Sequence, residues 1–221
     1  MEGRSKKDEF EKRDIPPVLE KLLALDVEWT KRFVSFSLNF VPIRSLKTHC
    51  KFLEYSCHGL VWLSALLAIC WLIDNPNYYQ TQMNLFVGLI LDIFFVAGIK
   101  AATRRRRPTI DDSFLTIGPD KFSFPSGHAS RAFFILCFFT ALDPMPLLFW
   151  PPLFAWATSV ALSRLLLYRH HILDVLAGIT LGTLEAFLIC ILWMGKDTSA
   201  WVMSWLSDEK LPSGSTQEDL F

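Results

Sequence analysis

Three short polar segments interrupt long apolar runs in this sequence, and their residue types could do chemistry together. The first, "KAATRRRRP", carries Lys100 and Arg107 seven residues apart. On a continuing helix that spacing returns both side chains to within ~20° of one face. The second, "PSGH", contains Ser126 as a helix N-cap and Gly127, whose missing side chain would let an anion reach the backbone N–H groups of the helix start. His128 would then lie in the first turn, beside the bound anion.

The third segment, "SRLLLYRHHILD", combines a cation, two adjacent histidines and a carboxylate. Arg164 ends one apolar run, and His170 and Asp174 open the next with the i,i+4 spacing that places imidazole and carboxylate on one helix face. A carboxylate that accepts from one ring nitrogen leaves the other nitrogen available as a nucleophile. His171 would point away from that face, and we interpret it as a bystander.

The combined set suits phosphoryl transfer. Lys100, Arg107 and Arg164 could hold the nonbridging oxygens of a phosphoryl group, whose transfer depends mainly on positioning and charge stabilisation. Two histidines can supply a nucleophile and a general acid. No DxD, DDxxD or HExxH motif is present, and Asp111 and Asp112 form an isolated pair. We therefore expect phosphoryl hydrolysis that uses neither a metal ion nor another cofactor.

The elements that must position these residues are apolar helices. The chain has 221 residues, 52% of them hydrophobic, and a mean hydropathy of +0.31, which is high for a soluble domain. Windows that approach the ~20 residues needed to cross a bilayer lie at 58–74, 83–99, 147–163 and 172–194, and a shorter one lies at 129–142. The apolar stretch 33–43 is too short to cross. We predict an all-α polytopic membrane bundle with five spans plus a short interfacial or re-entrant helix, or six spans if 33–43 also crosses.

Each polar segment alone also fits an ordinary role, as a positive stop after a span, a helix cap or a juxtamembrane polar cluster. If every window spans, however, all three segments emerge on one side of the membrane, which favours a common site. Lys and Arg crowd residues 1–51 and 100–107 and are absent from 52–99. The positive-inside rule then places the site in the cytosol, whereas six spans would place it in the lumen.

The remaining organisation is simple. We expect a polar N-terminal flank (1–28) without a cleavable signal peptide, one membrane domain (29–206) and a polar C-terminal tail (207–221). Five cysteines without a CxxC pair support neither a disulfide framework nor a zinc site. Asp92 and Glu185 lie within apolar windows, and we interpret both as interhelical hydrogen-bonding residues rather than as parts of the site.

The segments "K-x6-RP" (Lys100 to Pro108), "PSGH" and "SR-x5-H-x3-D" together resemble the signature of the type 2 phosphatidic acid phosphatases (PAP2), which share a fold with the vanadium haloperoxidases. The resemblance covers roughly residues 50–194. It implies that His170 forms a phosphohistidine, that Asp174 orients His170 and that His128 protonates the leaving oxygen. The residues that would hold the phosphoryl oxygens are Lys100, Arg107, Ser126, Gly127 and Arg164.

Within that family the sequence is most similar to members that hydrolyse polyisoprenoid diphosphates and monophosphates, such as presqualene, farnesyl and geranylgeranyl esters. This implies an amphiphilic lipid phosphate as partner, no nucleic acid, and location in the membrane of the endoplasmic reticulum and the contiguous nuclear envelope. Two alternatives remain open. One is a phosphatidate or sphingoid-phosphate phosphatase; the other is a non-catalytic scaffold whose Arg104–Arg107 run binds anionic headgroups. A scaffold would not require His128, His170 or Asp174.

Overall fold

The computed structural model describes residues 16–39, 43–108 and 122–206, and these residues form a helical protein whose β-pairing is limited to one isolated bridge between Arg106 and Phe122. The predicted all-α class is confirmed. The helices, numbered here in chain order, are α1 (Pro17–Leu38), α2 (Ile43–Ser56), α3 (Gly59–Leu72), α4 (Pro76–Thr103), α5 (Gly127–Cys137), α6 (Trp150–Leu166), α7 (Ile172–Ile191) and α8 (Lys196–Leu206). One π-helical turn (Phe138–Leu142) extends α5, and a 3₁₀ turn (Leu147–Phe149) precedes α6.

Two of the helices, α4 and α7, are long and apolar enough to cross a membrane. A third span results if Leu46–Ser56 and Gly59–Leu72, which meet at a bend of 48°, are counted as one broken span. The short segment predicted at 129–142 is present as α5 and its π turn. The other apolar window lies in α6, which has 17 residues. The count of five spans therefore remains a prediction.

The N-terminal region differs from the sequence-based prediction. Residues 33–38 are not part of a separate short helix but form the end of α1, which has 22 residues, and residues 40–42 lie outside the described part. The boundary predicted between residues 28 and 29 falls inside this helix. One face of this helix packs against the rest of the protein: Asp26, Thr30 and Val34, at a spacing of four residues, are all buried on it.

Close packing between α5 and α7 fixes the centre of the bundle. At Gly178 an added Cβ would lie 2.4 Å from the carbonyl oxygen of Ser126, and at Gly182 it would lie 2.0 Å from that of Ser130. The pair follows the small-xxx-small pattern that lets two membrane helices approach closely. As a result, the N-terminus of α5 lies directly against the N-terminal half of α7.

Candidate active site

His170 lies in the loop between α6 and α7, one residue before the N-cap of α7 at His171. Its Nδ1 is 2.7 Å from the backbone carbonyl oxygen of Ser123 and 3.9 Å from Asp174 Oδ2. Because a carbonyl oxygen can only accept, Nδ1 carries the proton in this hydrogen bond. The lone pair of Nε2 is then available as a nucleophile. Ser123, rather than Asp174, selects the tautomer of His170.

The predicted hydrogen bond between Asp174 and His170 is wrong, and so is the interpretation of His171 as a bystander. Since α7 begins only at Ile172, Asp174 is its third residue and folds back onto the N-cap, as in a capping box. Its Oδ2 accepts from the backbone N–H of His171 at 2.9 Å and lies 3.3 Å from the Nδ1 of that residue. Asp174 thus holds the backbone next to His170 and does not touch the imidazole of His170 by a hydrogen bond.

Helix α1 caps α7 from the side, and the sequence reasoning missed this contribution. Thr30 Oγ1 accepts from the N–H of Ile172 at 3.1 Å, and Asp26 Oδ1 accepts from the N–H of Leu173 at 3.0 Å. These amides are among the groups that a helix start leaves without an internal partner. The signal in the sequence was the spacing of four between Asp26 and Thr30, which places two hydrogen-bonding side chains on one face of a helix.

Arg105, in the first segment, contacts α1, the third segment and Ser123. Its guanidinium donates to Asp26 Oδ2 and to Asp174 Oδ1, both at 2.6 Å. Its backbone carbonyl accepts from the N–H of Ser123 at 2.8 Å. The same residue therefore fixes α1 against α7 and also holds the carbonyl-bearing residue that orients His170. The sequence reasoning assigned Arg105 no role beyond membership of the Arg104–Arg107 run.

The start of α5 carries the second segment as predicted. Ser126 is the N-cap, and its Oγ accepts from the N–H of Ala129 at 3.5 Å. The backbone N–H of Ser126 donates to the carbonyl oxygen of Asp174 at 2.9 Å, which ties this segment to the third. His128 Nε2 lies 3.2 Å from the carbonyl oxygen of Glu54, on the last turn of α2. Glu54 is therefore a further residue at the site that the sequence did not indicate.

The predicted common helix face of Lys100 and Arg107 is wrong, because α4 ends at Thr103 and Arg104 follows in the left-handed conformation with φ of 49°. Lys100 is nevertheless buried on the last turn of α4, and Arg107 Nε donates to the carbonyl oxygen of Phe122 at 3.3 Å. The chain turn after α4, rather than helix periodicity, brings the two cations to the site.

The electrostatics of His170 show that the three predicted cations act on one imidazole. Burial lowers the pKa of His170 well below its ordinary value of 6.5. The positive charges of Arg107, Lys100 and Arg164 lower this pKa further, and the Asp174 carboxylate opposes them. The arrangement therefore keeps the imidazole neutral and surrounds it with positive charge. This is the state that a histidine nucleophile needs for attack on an anionic phosphoryl group.

The intramembrane acids differ from each other. Asp92 Oδ2 pairs with Arg131 at 2.6 Å between α4 and α5, in agreement with the predicted interhelical role. Arg131 also donates to the carbonyl oxygen of Cys57 at 3.0 Å. The interhelical hydrogen bond expected for Glu185 is not found among the described residues, where both of its buried carboxylate oxygens have no hydrogen-bond partner.

Groups of three His, Cys, Asp or Glu residues with a geometry suited to a metal ion do not occur in the part of the chain that the structure describes. The isolated pair Asp111 and Asp112 lies outside the described residues.

The sequence is similar to a known family and to known phosphatases. The chain matches the model of the PAP2 superfamily over residues 81–199. It is 36% identical over 139 residues to "Probable lipid phosphate phosphatase beta" of Arabidopsis thaliana, a match that covers 51% of this chain and 65% of the relative. It is 31% identical over 129 residues to "Decaprenylphosphoryl-5-phosphoribose phosphatase" of Mycobacterium tuberculosis (strain ATCC 25618 / H37Rv), covering 57% of this chain and 67% of the relative.

The chain thus spans slightly less than two thirds of the plant relative, and no solved structure matches it significantly. The family match covers more than half of the chain and includes all three polar segments, from Lys100 to Asp174. This protein therefore belongs to the PAP2 superfamily.

Proposed function

We propose that this protein is a membrane phosphohydrolase that releases phosphate from lipid phosphate and diphosphate esters through a phosphohistidine at His170. The observation that carries the proposal is the Nδ1 hydrogen bond to Ser123, which leaves Nε2 nucleophilic at the point where three cations act. A scaffold for anionic headgroups would gain nothing from a buried, neutral and oriented imidazole.

In the first step, the Nε2 lone pair of His170 attacks phosphorus and the bond between phosphorus and the leaving oxygen breaks. Lys100, Arg107 and Arg164 stabilise charge on the nonbridging oxygens, together with the N–H groups at the start of α5. His128 in its imidazolium form gives a proton to the leaving oxygen. The bound phosphoryl anion favours that form, because an opposite charge stabilises the imidazolium.

In the second step, water attacks the phosphorus of phosphohistidine while neutral His128 accepts one of its protons. The phosphorus–nitrogen bond breaks, and inorganic phosphate leaves with His170 restored to its starting form. Asp174 contributes by holding the His171 backbone, so that His170 returns to the same position. The proton that His128 gives to the leaving oxygen in the first step is replaced by the proton that it accepts from water in the second, so the two steps need no additional group.

For the substrate we propose polyisoprenoid diphosphates and monophosphates, such as farnesyl, geranylgeranyl and presqualene esters. The name of the mycobacterial relative, a phosphatase for a decaprenyl-linked phosphate, supports this class. The name of the plant relative, a lipid phosphate phosphatase, supports phosphatidate or sphingoid phosphates as the second candidate. To separate these candidates, phosphate release is measured with the full-length protein in detergent micelles that contain EDTA. The substrates compared are farnesyl diphosphate, farnesyl monophosphate and phosphatidate.

We expect the prenyl esters to have the higher kcat/KM, and His170→Ala to abolish release from each substrate. The matched control is His49→Ala, which removes an exposed histidine of α2. Vanadate should inhibit, because it can adopt a trigonal bipyramid on the nucleophilic nitrogen. Undiminished activity of His170→Ala would refute the proposal, and a preference for phosphatidate would favour the second candidate.

We further propose that the protein resides in the endoplasmic reticulum with the site facing the cytosol, which the positive charge near the site supports. The exposed Asn77 is the second residue of α4, at the end opposite to Lys100. In a variant with Cys190 replaced by serine, a cysteine at this position should react with an impermeant reagent only after the membrane is opened. Reaction in intact vesicles would instead place the site in the lumen.

A further inference from the structure

Two arginine side chains converge on one carboxylate oxygen beside the reaction centre. Arg164 Nη1 lies 3.3 Å and Arg169 Nη1 lies 3.7 Å from Glu54 Oε1. The Arg164 side chain is 2% exposed, Arg169 is 14% exposed and Glu54 is 20% exposed. Guanidinium groups bind carboxylate and phosphate oxygens in the same way. The Glu54 carboxylate therefore occupies an anion position that is formed by two arginine side chains.

The residues that form this anion position are linked to both histidines through the backbone. Arg169 directly precedes His170, and the backbone N–H groups of both residues point to the carbonyl oxygen of Arg164, at 3.1 and 3.3 Å. Glu54 also contacts His128, whose Nε2 lies 3.2 Å from the Glu54 carbonyl oxygen. A group that replaced the Glu54 carboxylate would consequently lie within one glutamate side chain of the carbonyl oxygen that contacts the proposed acid. Arg169 itself falls within the unspecified x5 part of the motif, which assigns it no role.

We propose that Arg169 and Arg164, which also reaches the terminal phosphoryl group, form a subsite for the inner phosphoryl group of a diphosphate ester, and that the Glu54 carboxylate is an internal substitute that this group displaces. The proposal rests on the proposed function and specifies its substrate class. When His170 attacks the terminal phosphorus of a diphosphate, the leaving oxygen belongs to the inner phosphoryl group. That oxygen must lie beside His128, and the anion position lies within one glutamate side chain of the carbonyl oxygen that contacts His128.

Charge explains why the subsite needs Arg169 and why Glu54 must leave. A diphosphate ester carries more negative charge than a monophosphate ester, so Lys100, Arg107 and Arg164 alone leave part of it unneutralised. A carboxylate and a phosphoryl anion cannot share the same two guanidinium groups, because their like charges repel. The pair with Arg169 is part-exposed on both sides and its contact is the longer of the two, so exchanging the carboxylate for a phosphoryl group at this guanidinium costs little.

The test measures binding of two simple probes, inorganic pyrophosphate and orthophosphate, to the full-length protein in micelles. The readouts are the inhibition constant against monoester turnover and the stabilisation of the protein against thermal unfolding. Losing one charge-assisted contact should raise the pyrophosphate constant of Arg169→Gln roughly tenfold, with a much smaller change for orthophosphate. Glu54→Gln should lower the pyrophosphate constant, because the competing negative charge is gone.

Arg32→Gln and Glu28→Gln are matched controls, since they remove the same charges from an exposed i,i+4 pair on α1. Equal effects of Arg169→Gln on both probes, or no effect, would overturn the proposal, as would weaker pyrophosphate binding by Glu54→Gln. The opposite signs expected for the two variants guard against a misfolded protein. Pyrophosphate stabilisation that depends on Arg169 in a protein without turnover would count against the proposed function alone.

Discussion

Replacing Gly178 by alanine should separate the two halves of the site without touching any reacting group. Gly178 lies on α7, and a Cβ placed there would be 2.4 Å from the carbonyl oxygen of Ser126, the N-cap of α5. Ordinary contacts of a Cβ begin at about 3.4 Å. The difference, 3.4 − 2.4, requires the start of α5 and α7 to move apart by about 1.0 Å. This movement also strains the hydrogen bond of 2.9 Å from Ser126 N–H to the Asp174 carbonyl.

The displacement shifts His128 and the helix N-terminus relative to His170. A misplacement of about 1 Å in a catalytic geometry can reduce the rate ~10²-fold. Overpacking of this kind typically costs about 1–3 kcal/mol of stability, so the protein should remain folded. We therefore expect kcat to fall about a hundredfold, with a smaller change in the midpoint of unfolding.

The assay is phosphate release at saturating substrate, with thermal unfolding of the same preparation. The control is Gly98→Ala on α4, where an added Cβ meets no atom within 4 Å and alanine favours the helix. This variant should keep the kcat of the original protein. If Gly178→Ala also retained that kcat, the packing of α5 on α7 would not set the distance between the two histidines, and the reasoning would be refuted.

Three further predictions follow from the contacts around α7 and His170. Thr30→Val should lower the free energy of unfolding by about 1–3 kcal/mol and lower kcat, because the Ile172 N–H loses its acceptor. Thr30→Ser keeps the hydroxyl, so denaturation and turnover measurements should give values close to those of the original protein. Arg105→Met should cost about 3–5 kcal/mol by leaving two buried carboxylates without their cation, and retained unfolding stability would contradict this. Because the pKa of His170 is lowered, the imidazole remains neutral as the pH falls through 6.5. The pH profile of kcat/KM should therefore show no fall near pH 6.5 that is caused by protonation of His170. A fall at or above pH 6.5 that is assigned to His170 would contradict this prediction.

The sequence predicted the features that depend on local rules. The apolar windows identified α4, α5 and α7, and the Ser126 cap was recognisable because capping residues act within one turn. Predictions based on helix spacing were wrong where the two residues do not lie on one continuous helix. Lys100 and Arg107 are separated by the end of α4, and His170 precedes α7 instead of lying on it.

The remaining contacts had no sequence signature that spacing could reveal. The acceptor that orients His170 is a backbone carbonyl, which every residue possesses, and its identity depends on the fold. The caps of α7 come from Thr30 and Asp26, more than 140 residues away in the chain. Glu54 reaches the site from α2 in the same non-local way. These residues gain their roles only when tertiary packing brings distant backbone and side-chain groups together.

The central claim is that phosphorus becomes covalently bound to His170 during turnover. The direct measurement is rapid mixing of the full-length protein with labelled prenyl diphosphate, followed by an alkaline quench that preserves phosphohistidine and by mass spectrometry of the peptides. We predict a phosphorylated peptide whose modified residue is His170, present before phosphate release reaches its steady rate and absent from His170→Ala. Label on another residue, or rapid turnover in which no phosphorylated peptide forms at any time, would contradict the mechanism.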